Sequence, residues 1–302
     1  IIVLDSNQIT QYDLDGSNPV LLMDDVDTSS IDYIDPINQH LYQVGENLTR
    51  ASWADNEFFN LIGVFNKPHG LAVDSKQQKI YFSEIDQGGI KISNHQNISA
   101  FDLFPFYTTY NSYKELRGMS LDPINRHLYF ADFDGNPLEM QMRRISLDDH
   151  TQIDVLNSNQ KDFHDVALDL VRGKLYWSHA IDAGPAQISR SNLDGTVVEV
   201  IHTSTDNGIR GVDIDSVHNV LYWTDHKLKE IRYMNLDDVV PTAATFAALT
   251  AKPHHLFIDE TSDQIYWTSG IGPDHDSFTG VIQTTSLLNT PPVASGEITD
   301  II

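Results

Sequence analysis

The chain has 302 residues, of which 43 are acidic and 19 basic, giving a formal charge of −24 at neutral pH; such an excess of acid disfavours nucleic acid and anionic membrane as partners, since both need basic surface against phosphate. It contains no cysteine, unlike disulfide-bearing receptor ectodomains of this size, and no run of 18 apolar residues that would predict a membrane span. With no charged-then-apolar leader at its start, a secreted or periplasmic protein whose signal has been removed is expected.

In chain order, Ile1-Ile-Val-Leu-Asp5, Gln8-Ile-Thr-Gln-Tyr-Asp-Leu-Asp-Gly16 and Val20-Leu-Leu-Met23 are short apolar or alternating segments divided by turn residues, the pattern of strands. From there one unit recurs: an aspartate followed at a constant offset by a tyrosine, at Asp35/Tyr42, Asp74/Tyr81, Asp122/Tyr129, Asp169/Tyr176, Asp215/Tyr222 and Asp259/Tyr266. Self-similarity at a period of about 40 to 50 residues marks propellers and helical arrays. Each aspartate ends a short apolar segment, as in Gly70-Leu-Ala-Val-Asp74 and Gly211-Val-Asp-Ile-Asp215. A turn must follow, and Asp35-Pro-Ile-Asn38 and Asp122-Pro-Ile-Asn125 supply it: proline presets φ while Asp and Asn bond their own backbone. A second strand then begins, as in Ile80-Tyr-Phe-Ser83, Leu175-Tyr-Trp-Ser178 and Leu221-Tyr-Trp-Thr-Asp225. Third strands such as Gln187-Ile-Ser-Arg-Ser191 alternate apolar and polar residues, and a fourth completes a four-stranded antiparallel blade.

Leu221-Tyr-Trp-Thr-Asp225, its variants in the other units and the preceding Gly-x-x-x-Asp strands resemble the YWTD repeat of the low-density lipoprotein receptor class B β-propellers. The expectation is an all-β β-propeller, one domain over residues 1–302. The three N-terminal segments match strands two to four of a unit without its first strand. Glu297-Ile-Thr-Asp-Ile-Ile302 is the expected donor, so that N- and C-terminal strands pair in one blade and no edge stays open. That makes seven blades. Six is the alternative, because the unit around Asp35 has Gln43 in the aromatic slot and no glycine before its first strand.

Five residues before the repeat aspartates stand Ser30, His69, Arg117, His164, Arg210 and His254. First strands line the tunnel of a propeller, so these side chains are expected to ring one mouth. His69, His164 and His254 are the candidate ligands of a divalent transition metal. Arg117 and Arg210 suit a carboxylate, sulfate or phosphate. His254 and His255 are adjacent on a strand and point to opposite faces; register with His69 and His164 assigns His254 to the axis. Three residues past the repeat tyrosines stand Glu84 and Asp132, further candidate ligand-binding groups, and His179 and Asp225, which with His164 of the ring are the candidate catalytic groups. Ordinary roles compete with these: a loop residue before the first-strand glycine, and, as the resemblance implies, an aspartate tying blade to blade. Asp13-Leu-Asp-Gly16 and Asp132-Phe-Asp-Gly135 lack the remaining ligands of a calcium loop. Two functions stand. The resemblance implies a monomeric binding module for a protein segment or small anionic ligand; the His/Arg ring alternatively suits a metal-dependent lyase or hydrolase acting on an acidic substrate.

Overall fold

A computed structural model describes residues 2–5, 8–11, 20–23, 33–35, 38–44, 48–52, 57–62, 68–84, 89–94, 104–107, 116–133, 140–180, 184–250, 252–260, 264–270 and 281–286. All described regular elements are strands: β1 (Ile2–Asp5), β2 (Gln8–Gln11), β3 (Val20–Met23), β4 (Tyr33–Asp35), β5 (His40–Val44), β6 (Leu48–Ser52), β7 (Glu57–Ile62), β8 (Pro68–Asp74), β9 (Lys79–Glu84), β10 (Ile90–Asn94), β11 (Phe104–Tyr107), β12 (Leu116–Asp122), β13 (His127–Phe133), β14 (Met140–Ser146) and β15 (Ile153–Asp169). They continue with β16 (Lys174–Ala180), β17 (Ala186–Asn192), β18 (Glu199–Thr203), β19 (Ile209–Asp215), β20 (Val220–Asp225), β21 (Glu230–Asn235), β22 (Ala244–Ala248), β23 (Lys252–Asp259), β24 (Gln264–Gly270) and β25 (Val281–Ser286). Among the described residues no helix is long and apolar enough to cross a membrane.

Consecutive strands pair antiparallel within the sheets β1–β3, β4–β7, β8–β11, β12–β18, β19–β22 and β23–β25. The first strand of each unit from β4 onward lies beside the first strand of the next. The sheets are thus arranged as a β-propeller, with these strands innermost. In the β12–β18 sheet, β15 serves two units: its first part pairs with β14 and its second with β16. A break between an outer strand and the next inner strand is absent there, and 153–169 contains neither glycine nor proline. The Glu297–Ile302 segment expected to close the ring lies outside the described residues.

The repeat aspartates are buried and shape the turn after the inner strand. Asp35, Asp74, Asp122, Asp169 and Asp215 each accept the N–H three residues on, at 2.8–3.1 Å. One residue later the backbone turns left-handed, at Gln39, Gln78, Arg126, Gly173 and Asn219 (φ 54–64°), which brings the chain back as the second strand. The adjacent aromatics of that strand point to opposite faces. Tyr129 packs with Trp177 of the next unit, Tyr176 with Trp223, and Tyr222 with Trp267. The core therefore lies between units, and neither aromatic of a Tyr-Trp pair can bury itself without a neighbouring blade.

In three units the hydroxyl after the aromatic pair joins units at the tunnel end of the inner strands. Ser83 Oγ accepts the N–H of Gly70 in its own unit at 2.7 Å and donates to the Leu116 carbonyl of the next at 3.2 Å. Ser178 Oγ donates to the Arg210 carbonyl at 2.5 Å. Thr224 Oγ1 accepts from Gly211 N–H at 2.8 Å and donates to the His254 carbonyl at 2.5 Å. Glycine is needed at this approach: a Cβ on Gly211 would lie 2.6 Å from the His254 carbonyl oxygen, and one on Gly118 2.9 Å from Asp165 Cα.

Candidate functional site

These bridges fix the backbone of Arg210 and His254, two residues of the expected ring. Arg210 reaches back to the preceding inner strand, where a guanidinium N–H donates to His164 Nε2 at 3.2 Å; the same nitrogen contacts the carbonyls of Asn207 and Ile209 at 3.3 and 2.8 Å. Arg117 approaches the Phe163 carbonyl at 3.5 Å. Burial first, then the charges of Arg210 and Arg117, holds the His164 pKa well below the usual imidazole range, so this ring is neutral with Nε2 as acceptor. The structure thus brings Arg117, His164 and Arg210 together at the mouth. His226, from the turn after β20, joins them: its Nδ1–H donates to the Gly208 carbonyl at 2.9 Å, and burial followed by Arg210 lowers its pKa to about 4.

His254 and His255 correct the expected alternation. His255 lines the tunnel, while His254 lies against His226 with ring centroids 6.1 Å apart. The reason is a bulge between Pro253 and Leu256. Irregularities at the matching place occur in β8, β12, β15 and β19, and such bulges re-aim side chains. A period of two therefore fails at the mouth.

The metal hypothesis can be tested on the donors. The side chain of His69 lies outside the described residues. Among the described residues no three His, Asp or Glu converge as a metal group. His164 offers its Nε2 to a guanidinium, a cation in the place a metal would take.

The residues beyond the repeat tyrosines are embedded elsewhere. Asp132 pairs with Arg143 Nε at 3.0 Å. His179 contacts Ser189 Oγ through Nε2 at 2.9 Å and packs near the rings of Phe163 and Trp177. Asp225 accepts the N–H groups of Lys227 and Leu228 at 3.1 and 3.0 Å. All three are buried, and none lines the tunnel; they hold sheets and turns in place. The side chain of Glu84 lies outside the described residues.

Below the mouth is a cavity of about 410 Å³ bounded by the inner strands. Four residues before the repeat aspartates its wall has Gly70, Gly118, Asp165 and His255; two before, it has Tyr33, Ala72, Ser120, Asp213 and Phe257. Asp165 accepts from Val166 N–H at 2.8 Å and from Val212 N–H of the next inner strand at 3.2 Å. Asp213 accepts from Ile214 at 2.9 Å and across to Ile258 at 2.8 Å. Even so, burial raises both carboxyls to about 7. On the same wall, Phe257 of the inner strand after Asp213 is in contact with Tyr33, with centroids 5.6 Å apart. The sequence reading missed Asp165, Asp213 and His226. Asp165 and His255 carried a signal, standing where three other units have glycine.

No family model matches the chain. "Protein cueball" of Drosophila grimshawi is 27% identical over 220 residues, covering 68% of this chain and 33% of that protein; the same protein of Drosophila erecta is 26% identical over 215 residues. The chain spans about a third of the length of these relatives. Among solved structures, a nidogen/laminin complex superposes with TM-score 0.62 at 18% identity, covering 76% of this chain and 85% of that one. A gluconolactonase from Xanthomonas campestris superposes with TM-score 0.64 at 12% identity over 95% and 97%. At such identities the likeness is one of fold, and it agrees with the β-propeller arrangement of the sheets.

Proposed function

We propose that the chain is a seven-bladed propeller of the YWTD type that captures an anionic ligand, most simply an acidic protein segment, at the mouth formed by Arg117, His164 and Arg210. The blade count rests on the six aspartate–tyrosine units and on β1–β3, a sheet with the strands of a further unit but no first strand of its own. The ligand class rests on one observation: two guanidinium groups flank a neutral imidazole at the tunnel mouth of a chain with net charge −24. A local cationic spot in an acidic surface focuses anions, and arginine grips carboxylates with paired bonds. The nidogen neighbour, solved with laminin, supports a protein as partner. We take the protein to act as a secreted or periplasmic monomer. The metal-dependent lyase or hydrolase reading, with His69, His164 and His254 as ligands, is the weaker one, because Arg210 donates to His164 Nε2.

The test is the affinity of a fluorescein-labelled hexa-aspartate peptide, read by anisotropy. Arg210→Ala should weaken binding about tenfold, the loss of roughly one charge-assisted hydrogen bond, and added salt should weaken the wild type. Equal affinity in wild type and variant would remove the mouth from consideration.

A further inference from the structure

We propose that the tunnel beneath the mouth is a second site, which takes a small organic ammonium ion. Its charged head sits by Asp165 and Asp213, and its apolar body lies against Tyr33 and Phe257. This assignment does not rest on the anion-binding mouth.

The inner strands leave the space. Glycine at Gly70 and Gly118, and small side chains at Ala72 and Ser120, keep one side of the wall thin, so the cavity of about 410 Å³ falls in the range of small-molecule sites. The other side carries the chemistry. Asp165 and Asp213 stand on adjacent inner strands, and each bonds one N–H of its own strand and one of the next. Those amides are neutral donors and bring no countercharge. A carboxylate held half-buried inside the tunnel without a cation is costly, and an ammonium in the cavity would supply one. Tyr33 and Phe257 give an aromatic wall at the same height as Asp213, and a cation within about 6 Å of a ring face is attracted by its quadrupole. Asp74 and His255 also line the cavity, Asp74 accepting from Gln77 N–H at 2.9 Å at its far end; three further groups do not compete. His164 is neutral, Lys76 is exposed at the far end, and Arg210 is turned onto His164 and the Asn207–Ile209 backbone.

Titration calorimetry of the 302-residue protein at about pH 8, where carboxyls with the raised pKa are ionised, compares phenethylammonium with two isosteres, neutral 2-phenylethanol and anionic phenylacetate. The ammonium should bind about tenfold or more tightly than the alcohol, and phenylacetate weakest. Asp213→Asn, confirmed as folded by near-UV circular dichroism, should bring the ammonium down to the level of the alcohol. Phe257→Leu should weaken both, and the ammonium more than the alcohol. Arg210→Ala should not weaken ammonium binding even if peptide binding at the mouth is lost, so that the two sites fail separately. Equal affinity for ammonium and alcohol in the wild type, no binding of either, or full ammonium affinity in folded Asp213→Asn would overturn the assignment.

Discussion

Asp165 and Asp213 ought to leave a mark on stability as well as on binding. Burial raises both to about 7 in the fold, whereas an unfolded aspartate titrates near 4. Between these values the folded state keeps protons that the unfolded chain has released. Their stabilising contribution is therefore present at low pH and lost as pH rises through about 7. The buried histidines run the other way. His202 and His226 are lowered to about 4, chiefly by burial, and His164 is lowered in the same direction; their contribution is full above about 6.5 and fades as pH falls toward 4. The two windows overlap and oppose each other: with three histidines against two carboxyls the melting temperature should rise modestly from about pH 4 to 6.5, dip slightly toward 7, and change no further from these groups above it. Asp213→Asn should steepen the rise between about pH 4 and 6.5; a profile as shallow as that of the wild type would show that this carboxyl does not set it. These residues were only partly legible. Asp165 breaks the glycine pattern and could have been picked out by comparing units. Asp213 sits in a strand where alternation alone does not tell tunnel from inter-blade space. The choice between His254 and His255 was beyond a rule of two, because the bulge that decides it depends on how closely the next inner strand approaches.

At the scale of the strand and turn, the sequence was far more readable. The aspartate–tyrosine spacing follows from one local requirement: a carboxylate that accepts the N–H three residues on, then a left-handed residue, then the second strand. Gly173 isolates the cost of that left-handed step, since a Cβ there would meet nothing within 4 Å while φ is +64°. Gly173→Ala should lower stability by about 1 kcal/mol, from backbone strain less the entropy the substitution removes from the unfolded chain. Gly173→Asn should cost less, because Asn tolerates this region. Denaturant midpoints measure both, and equal stability of the Ala variant would mean that the turn readjusts. The Tyr-Trp dipeptide was likewise legible as packing, and the structure adds direction: the tyrosine looks forward to the next unit and the tryptophan back. The unbroken β15 was not legible. Its two halves have different partners, and whether a chain passes from one sheet to the next without a turn depends on tertiary placement that no local pattern encodes.

For the molecule as a whole, consecutive units share buried aromatic layers, so neighbouring blades should lose their structure together. The net charge of −24 acts against this cohesion by mutual repulsion. Raising sodium chloride from about 20 to 300 mM, which shortens the screening length below about 10 Å, should therefore raise the melting temperature. A fall would indicate that ion pairs such as Arg143–Asp132 outweigh the repulsion. The radial arrangement itself was legible from period and motif, because repetition of one supersecondary unit leaves few ways to cover every apolar face.

The joint after β13 lacks the hydroxyl that fastens others: Ala131 stands where Ser83, Ser178 and Thr224 stand in their units. At that seam the Phe163 carbonyl, counterpart of the Leu116 carbonyl bonded by Ser83, meets the guanidinium of Arg117 instead, at 3.5 Å. An incoming anion that draws Arg117 to itself must therefore loosen this clasp between two blades. Occupancy at the rim would then be felt as altered rigidity along β15, the strand that runs unbroken through the same junction.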